Sequence, residues 1–285
     1  MLDFICLKYF CDAVKLSGIT AAAKANFVTP SAVSQGISKL ENTLGYPLLA
    51  LHPNRFRLTP DGERAFQLMS DLLRRTQELQ ENLTPMGQTI IGDLDFACTF
   101  SFALSLLPHY LKQFRTQYPQ TKVNVRLSGN YDEIRQMLTV GTIDFAILKK
   151  PPEFSGFEEK ILFQSEFGLF CNPHIELSSP AFILAEPEET LPFKKAYYQK
   201  YKQEPNILLE ARSWIVVAKL AEEGLGIGYF PDYITFGREK TLQRCEKDLN
   251  LPKFQMSAVY LKGMRLRKSS EIFLSYFEQG SQINR

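Results

Sequence analysis

Apolar residues in the first part of the chain recur at helical spacing. Phe4, Leu7, Cys11 and Val14 lie three and four apart with Phe10 beside them, which predicts a helix over residues 3–16 with one apolar face. Cys11 there counts as a small core hydrophobe. Residues 17–41, SGITAAAKANFVTPSAVSQGISKLE, then predict two short helices joined by a tight turn. Thr20 is the expected N-cap of the first, and Ala21, Ala22, Ala23 and Ala25 are small enough to admit a neighbouring helix. Asn26 is expected to close that helix in the left-handed conformation. Thr29 and Pro30 give a hydroxyl cap followed by proline at the first helical position. From there Val33, Ile37 and Leu40 point inward, Leu44 continues the core and Gly45 ends the helix. Ser31, Ser34, Gln35 and Ser38 are left facing outward.

The pattern then changes. Leu48, Leu49 and Leu51 predict a short strand and Phe56, Arg57 and Leu58 its partner, with His52, Pro53, Asn54 and Arg55 at the tip. Thr59 and Pro60 repeat the start signal, and Ala65, Met69, Leu72, Thr76, Leu79, Leu83 and Met86 follow four and three apart. This is a heptad stripe on a long helix, with charged residues such as Arg64, Arg74 and Glu81 off it, and it predicts dimerisation. Thr84 to Gly87 breaks the helix, and residues 87–93 read as a hinge.

Beyond the hinge, strand and helix patterns alternate. Strands are expected at 94–98, 123–127, 143–148, 161–171, 182–185, 207–209, 224–230 and 256–261. Helices are expected at 102–118, 131–140, 193–201, 213–223 and 268–277. Such alternation predicts an α/β sheet with parallel strands.

At 285 residues the chain is long enough for two domains, with three small ones as the limit. The net charge of +2 gives no global basic field. Residues 1–58 nevertheless hold Lys8, Lys15, Lys24, Lys39, Arg55 and Arg57 against Asp3, Asp12 and Glu41, a local excess suited to phosphate contacts. Serine hydroxyls and the Gln35 amide on a helix-turn-helix can hydrogen-bond base edges, with glutamine suited to adenine. A surface helix pair with a polar outer face would show the same spacing. Candidate DNA-binding residues are Thr29, Pro30, Ser31, Ser34, Gln35, Ser38 and Lys39, with His52, Arg55 and Arg57 from the two-stranded wing. A solvated hairpin is the competing reading for the wing. The five cysteines are scattered without a C-x-x-C pair, so neither a disulfide framework nor a zinc site is expected. No signal peptide or membrane-spanning run is read, and a reducing cytoplasm is the expected location. His52, His109 and His174 lie in unrelated segments, with no triad, zinc or phosphate-loop pattern. No catalytic residue, metal ligand or cofactor is therefore assigned, and the chain is expected not to be an enzyme.

Residues 1–86 resemble the DNA-binding domain and linker helix of LysR-type transcriptional regulators. The likeness is carried by Thr20-Ala21-Ala22-Ala23, Ser31-Ala32-Val33-Ser34, Ile37, Leu40-Glu41, Leu44-Gly45, Leu48, Leu58-Thr59 and Gly62. The chain departs from the family pattern at Asn26, where leucine is usual, so that Phe27 or Val28 must supply a core contact. It departs also at Pro30, where glutamine is common, at Leu49, and at Leu51 and Asn54, where arginine is usual. Altered backbone contacts are expected there. The second half is similar to the family's effector domain, on Gly92, Leu107-Pro108, Phe114, Tyr118-Pro119, Leu138, Gly141, Asp144, Ala146-Ile147, Gly224 to Gly228 and Pro231.

The resemblance implies a fold and a set of partners. The fold is an α-helical winged helix-turn-helix (1–58) and a long linker and dimerisation helix (59–86). These precede a two-lobed α/β domain (87–285) similar to periplasmic solute-binding proteins. One lobe covers about 90–163 plus 265–285 and the other about 166–258. The implied partners are double-stranded DNA bearing an interrupted inverted repeat, a small-molecule effector, a second copy in a dimer or tetramer, and RNA polymerase. No membrane is among them.

Ligands of open α/β sheets bind beyond the carboxyl ends of the strands, where helix N-termini aim amides at anions. Here those places are Thr99, Phe100, Ser101 and Phe102, then Ser128, Gly129 and Asn130, and from the other lobe Arg212, Ser213 and Trp214. The three serines qualify equally as helix caps, and Arg212 as one half of a surface ion pair. The glycines at 224, 226 and 228 follow a helix, which is the reverse of a phosphate loop. Two alternatives stay open: a cysteine-based redox sensor, with Cys98 the one to watch, and a ligand-binding protein with degenerate DNA recognition.

Overall fold

The computed structural model describes residues 2–50, 56–82, 92–149, 154–175, 180–185, 187–246 and 248–279. The chain begins with α1 (Phe4–Lys15), α2 (Ile19–Ala25) and α3 (Pro30–Leu44), followed by the long α4 (Pro60–Asn82). Leu7, Phe10, Cys11 and Val14 of α1 are buried against Ala22, Ala23, Val33, Ile37 and Leu40. Phe4, expected on that face, is 45% exposed. It opens the first turn and borders a crevice beside the long helix α4.

The local signals of α2 differ from expectation. Its N-cap is Gly18, with no side-chain cap bond, so Thr20 lies inside the helix. Asn26 closes it at φ −98°, and the left-handed residue is Phe27. The Asn26 amide is instead spent on side-chain bonding, donating to Asp12 at 2.7 Å and to the Ala22 carbonyl at 2.9 Å. Val28, not Phe27, packs against the core in place of the family leucine. The α3 signals hold: Thr29 Oγ1 accepts from Ala32 N–H at 3.2 Å, and Gly45 ends the helix at φ +84°. A cap of that type is worth about 1 kcal/mol.

The wing is present as one antiparallel bridge, Leu49 to Leu58, supported by Ala50 N–H to the Arg57 carbonyl at 2.9 Å. The tip, including His52 and Arg55, lies outside the described residues. In α4, Thr59 Oγ1 accepts from Gly62 N–H at 2.9 Å. Ala65 and Met69, the first two members of the heptad stripe, are buried in the chain's own amino-terminal core beside Phe66. Leu72 and Leu79 stay exposed, while the half-buried Thr76 donates back to the Leu72 carbonyl. Leu83, Met86 and the 87–91 part of the expected hinge lie outside the described residues.

The rest is α/β. In order come β1 (Leu94–Cys98), α5 (Phe100–Leu104), α6 (Leu107–Gln117), β2 (Val123–Leu127), α7 (Tyr131–Val140), β3 (Phe145–Lys149) and β4 (Phe157–Cys171). Then follow β5 (Phe182–Leu184), α8 (Pro187–Tyr201), β6 (Ile207–Glu210), α9 (Trp214–Glu222), β7 (Ile227–Pro231), β8 (Gln243–Glu246), β9 (Lys253–Leu261) and α10 (Lys268–Gln279). The strands pair in the order β2-β1-β3-β9-β4-β7-β5-β6, with β8 on β4. The sheet is mixed, not all parallel. β1 runs parallel to β2 and β3, and β5 parallel to β6 and β7, but β4 and β9 are antiparallel to each other and to their other neighbours. These two long strands carry the chain from one lobe to the other.

Some expected boundaries moved. The helix foreseen over 102–118 is two helices, because Pro108 has no N–H to bond the preceding turn. The helix foreseen from Phe193 starts at Pro187 and tolerates Pro192 inside it. β8 was not foreseen. It joins β4 through a Cys171–Cys245 disulfide, contrary to the expectation drawn from the scattered cysteines. Residues 74 apart are brought together by strand pairing, which spacing does not reveal.

A part-buried cluster ties the first lobe together, and an exposed contact joins it to α4. Arg267, at the start of α10, reaches Asp95 on β1 at 2.5 Å and Asp144 before β3 at 2.6 Å, while Ser270 donates to Asp144 at 2.9 Å. Nearby, Arg74 of α4 donates to the Arg265 carbonyl at 2.5 Å and pairs with Asp71. A crevice of about 560 Å³ lies along this contact between α1, α4 and the first lobe.

Candidate nucleic-acid interface and effector cleft

α3 is amphipathic in a way that leaves one face free. Val33, Ile37 and Leu40 are fully buried, while Ser31, Ser34, Gln35 and Ser38 on the other side are all exposed. The surface continues one turn further through Asn42 and Thr43, which line a shallow depression with Ser34, Gln35, Ser38 and Lys39. Helical spacing from Ser38 and Lys39 reaches both positions, which carry no motif of their own. Gly36 must be small, because a Cβ would lie 2.8 Å from the Tyr9 ring.

The polar groups on this face are weakly committed. Gln35 Nε2 lies 3.5 Å from Ser31 Oγ, at the limit of a hydrogen bond. Lys39 pairs with Asp3 at 2.8 Å, and that hydrogen bond raises the lysine's pKa and lowers the aspartate's. Both side chains are well exposed, so the pair is worth little and yields readily to a phosphate. Thr29 and Pro30 are exposed at the helix start, and Arg57 is exposed beside the wing bridge. Glu41 holds the wing in place: its Oε1 accepts from Leu48 N–H at 2.8 Å and Leu49 N–H at 3.1 Å.

The second group of candidates gathers where the lobes meet. Ser101 is buried inside α5, and Tyr233 of the other lobe donates to its Oγ at 2.7 Å. Thr99 Oγ1 is 3.2 Å from the same oxygen. Phe102 is fully buried in the core, whereas Phe100 is 56% exposed. Ser128 donates to Glu133 at 2.6 Å and accepts from Asn130 N–H, so it braces the turn before α7. The cap of α7 is Asn130, whose Oδ1 accepts from Asp132 and Glu133 N–H. Gly129 has open space around it. Ser213 occupies the N-cap position of α9 without a side-chain bond, and Arg212 is exposed with no ion pair among the described residues. Trp214 packs edge-on against Phe167 at 5.6 Å and lies 6.4 Å from Phe254.

Sequence reasoning missed the groups that span the lobes. Lys149 at the end of β3 pairs with Glu189 of α8 at 2.7 Å and lies over the rings of Phe167 and Phe254. Tyr229 is buried and its hydroxyl has no partner among the described residues. None of these carried a local motif. Cys98 is buried, and burial pushes its thiol up to about 12, which makes it a poor thiolate. Among the described residues no group of histidines, cysteines and carboxylates could hold a metal ion, and no helix is long and apolar enough to cross a membrane.

Comparison with known proteins finds a family match for each half of the chain. Residues 6–63 match the bacterial regulatory helix-turn-helix of the LysR family, and residues 87–282 match the LysR substrate binding domain. The chain belongs to the LysR family. Its similarity to the transcriptional activator IlvY of Salmonella typhimurium is 30% identity over 155 residues, 54% of this chain and 52% of IlvY. The chain thus spans about half the length of the IlvY relatives it matches. A longer match, to the HTH-type regulator YybE of Bacillus subtilis, is 23% identical and covers 95% of this chain and 96% of that one. Among solved LysR structures, full-length OxyR from Pseudomonas aeruginosa superposes with a TM-score of 0.71 at 17% identity, over 97% and 98% of the two chains. Full-length LysG from Corynebacterium glutamicum, solved with bound effector Arg, gives 0.63 at 15% identity, again over 97% and 98%.

Proposed function

We propose that this chain is a sequence-specific DNA-binding transcriptional regulator, not an enzyme, and that it acts in the cytoplasm. The observation that carries the reading is the free outward face of α3, where Ser31, Ser34, Gln35 and Ser38 stand over a fully buried inner face. That face would lie in the major groove, with Thr29, Pro30, Lys39 and Arg57 toward the backbone and His52 and Arg55 assigned to the wing. A two-fold assembly through the exposed Leu72 and Leu79 of α4 would match an interrupted inverted repeat. A small molecule between the lobes, near Ser101, Ser128, Asn130 and Trp214, would favour one arrangement of the DNA-binding pairs over another. LysG's bound effector and the activator role in IlvY's name support this part by analogy. RNA polymerase is the partner through which such a regulator would act.

The test is selection of genomic fragments by the purified chain at two salt concentrations, repeated with Gln35→Ala. Enrichment of a two-fold-symmetric motif is expected, with a loss of about 1–3 kcal/mol in the variant if Gln35 makes a bidentate base contact. Binding that fades with salt alike for every sequence would remove specific recognition from the reading.

A further inference from the structure

The turn between α2 and α3 is closed by two backbone bonds. Val28 N–H reaches the Ala23 carbonyl at 3.0 Å, and Phe27 N–H reaches that of Lys24 at 3.3 Å. This helix stop demands a left-handed residue between them, and Phe27 has φ +56°. Glycine or asparagine usually fills such a position, because a bulky side chain is disfavoured there. Phenylalanine offers neither glycine's freedom nor asparagine's local hydrogen bonding. Packing does not compensate, since the ring is 96% exposed and Val28 makes the motif's contact with the core. The side chain therefore opposes the fold in backbone and in solvation, with no offset among the described residues.

Its location supplies the reason. Phe27 precedes by two residues the cap of the helix whose outward face carries Ser31, Ser34 and Gln35. Around it Lys24, Thr29 and Pro30 are exposed, and Lys24 has no ion pair among the described residues. We propose that Phe27 is a DNA-contacting residue whose ring packs on a deoxyribose of the strand flanking the groove that α3 enters. Lys24 and the Ser31 N–H hold phosphates on either side, since Pro30 has no N–H and the Ala32 and Val33 amides are bonded to Thr29. The inference rests on the DNA-binding reading above and adds to it an apolar contact that the serines and Gln35 do not provide. Deoxyribose is the apolar surface between successive phosphates, and contacts to it position a protein without reading sequence. Such a contact carries no charge, so it raises affinity without releasing counterions.

The experiment uses the full chain and operator fragments selected by the wild type, with binding followed over a salt series and thermal unfolding measured alongside. Phe27→Gly is expected to raise the unfolding midpoint, because glycine suits the turn. The same variant is expected to bind about tenfold more weakly at every salt concentration, with the salt slope unchanged. Phe27→Tyr keeps the ring and is expected to keep the affinity. Lys24→Ala should instead lower the slope by about one. Wild-type affinity in Phe27→Gly overturns the proposal, as does a loss that comes with a lower midpoint. A loss confined to one base position overturns the sugar contact. A wild type that selects no operator overturns this inference together with the DNA-binding reading. A wild type that selects one while Phe27→Gly binds equally well overturns this inference alone.

Discussion

Tyr233 and Ser101 join the two lobes by a buried hydrogen bond of 2.7 Å, donated by the tyrosine. Ser101 is a residue that the strand-end rule assigns to a ligand, yet its oxygen is here taken by the opposite lobe. Burial pushes the Tyr233 phenol well above its ordinary range, so it keeps its proton and its role as donor at neutral pH. Tyr233→Phe should cost about 1 kcal/mol. It should also speed hydrogen exchange in α5, which rests on α9 of the other lobe. Unchanged exchange in α5 would mean that the Tyr233–Ser101 bond does not hold α5 to the other lobe.

Lys149 and Glu189 make the second bridge between lobes, at 2.7 Å. Each side chain keeps part of its surface in water, so screening limits the pair. A double-mutant cycle of Lys149→Met and Glu189→Gln should give a coupling of about 0.5–1 kcal/mol, shrinking as salt is added. The rings of Phe167 and Phe254 beneath the ammonium add a contact that glutamine at 189 leaves intact. A coupling that ignores salt would assign the bridge to packing and not to charge.

The sequence disclosed what is local. Thr29-Pro30 and Thr59-Pro60 announce their helices because cap and first-turn chemistry lie within four residues. The stripe Val33, Ile37, Leu40 gives the inner face of α3, and with it the outer face. What it hid is what the fold brings from afar. Ser101 meets Tyr233 across 132 residues, and Arg267 meets Asp95 across 172. Cys171 and Cys245 meet only because β8 pairs with β4. Asn26 misled for another reason. Its type suits a left-handed cap, but bonds to Asp12 and Ala22 held it elsewhere and pushed that conformation onto Phe27. The heptad stripe of α4 was also only half a guide, since Ala65 and Met69 belong to the amino-terminal core and periodicity does not say which neighbour covers a stripe.

Asp232 should make stability depend on pH with a sign opposite to that of a paired carboxylate. Burial raises its pKa above the ordinary value, against the lowering effect of hydrogen bonds from Ser165 Oγ and Glu166 N–H. An acid that holds its proton more tightly folded than unfolded stabilises the fold at low pH. That contribution is lost as pH rises from the unfolded value, about 4, through the higher folded one. An asparagine in its place would still accept both bonds through its amide oxygen, without the buried charge and without repulsion from Glu166. Asp232→Asn should therefore raise the unfolding midpoint at pH 7, and the gain should shrink toward pH 4. Equal midpoints at pH 7 would show that the carboxylate is as well solvated folded as unfolded.

Gly62 is a position in the amino-terminal domain where a side chain would meet backbone. It sits in the first turn of α4, and a Cβ there would lie 2.0 Å from the Leu48 carbonyl oxygen. Neither side can retreat. Leu48 is fully buried and its N–H is held by Glu41, while Gly62 N–H is held by Thr59. The obstacle is backbone, so no rotamer change relieves it. Gly62→Ala should cost about 3 kcal/mol or more, the upper end of overpacking. It should also detach the start of α4 from the wing. Gly129→Ala is the control, because nothing lies within 4 Å of its Cβ position. Thermal unfolding and hydrogen exchange of the Leu48 to Leu58 segment distinguish the outcomes. A Gly62→Ala protein as stable as the Gly129→Ala control would mean that the wing shifts freely on α4, and that Glu41 does not fix it.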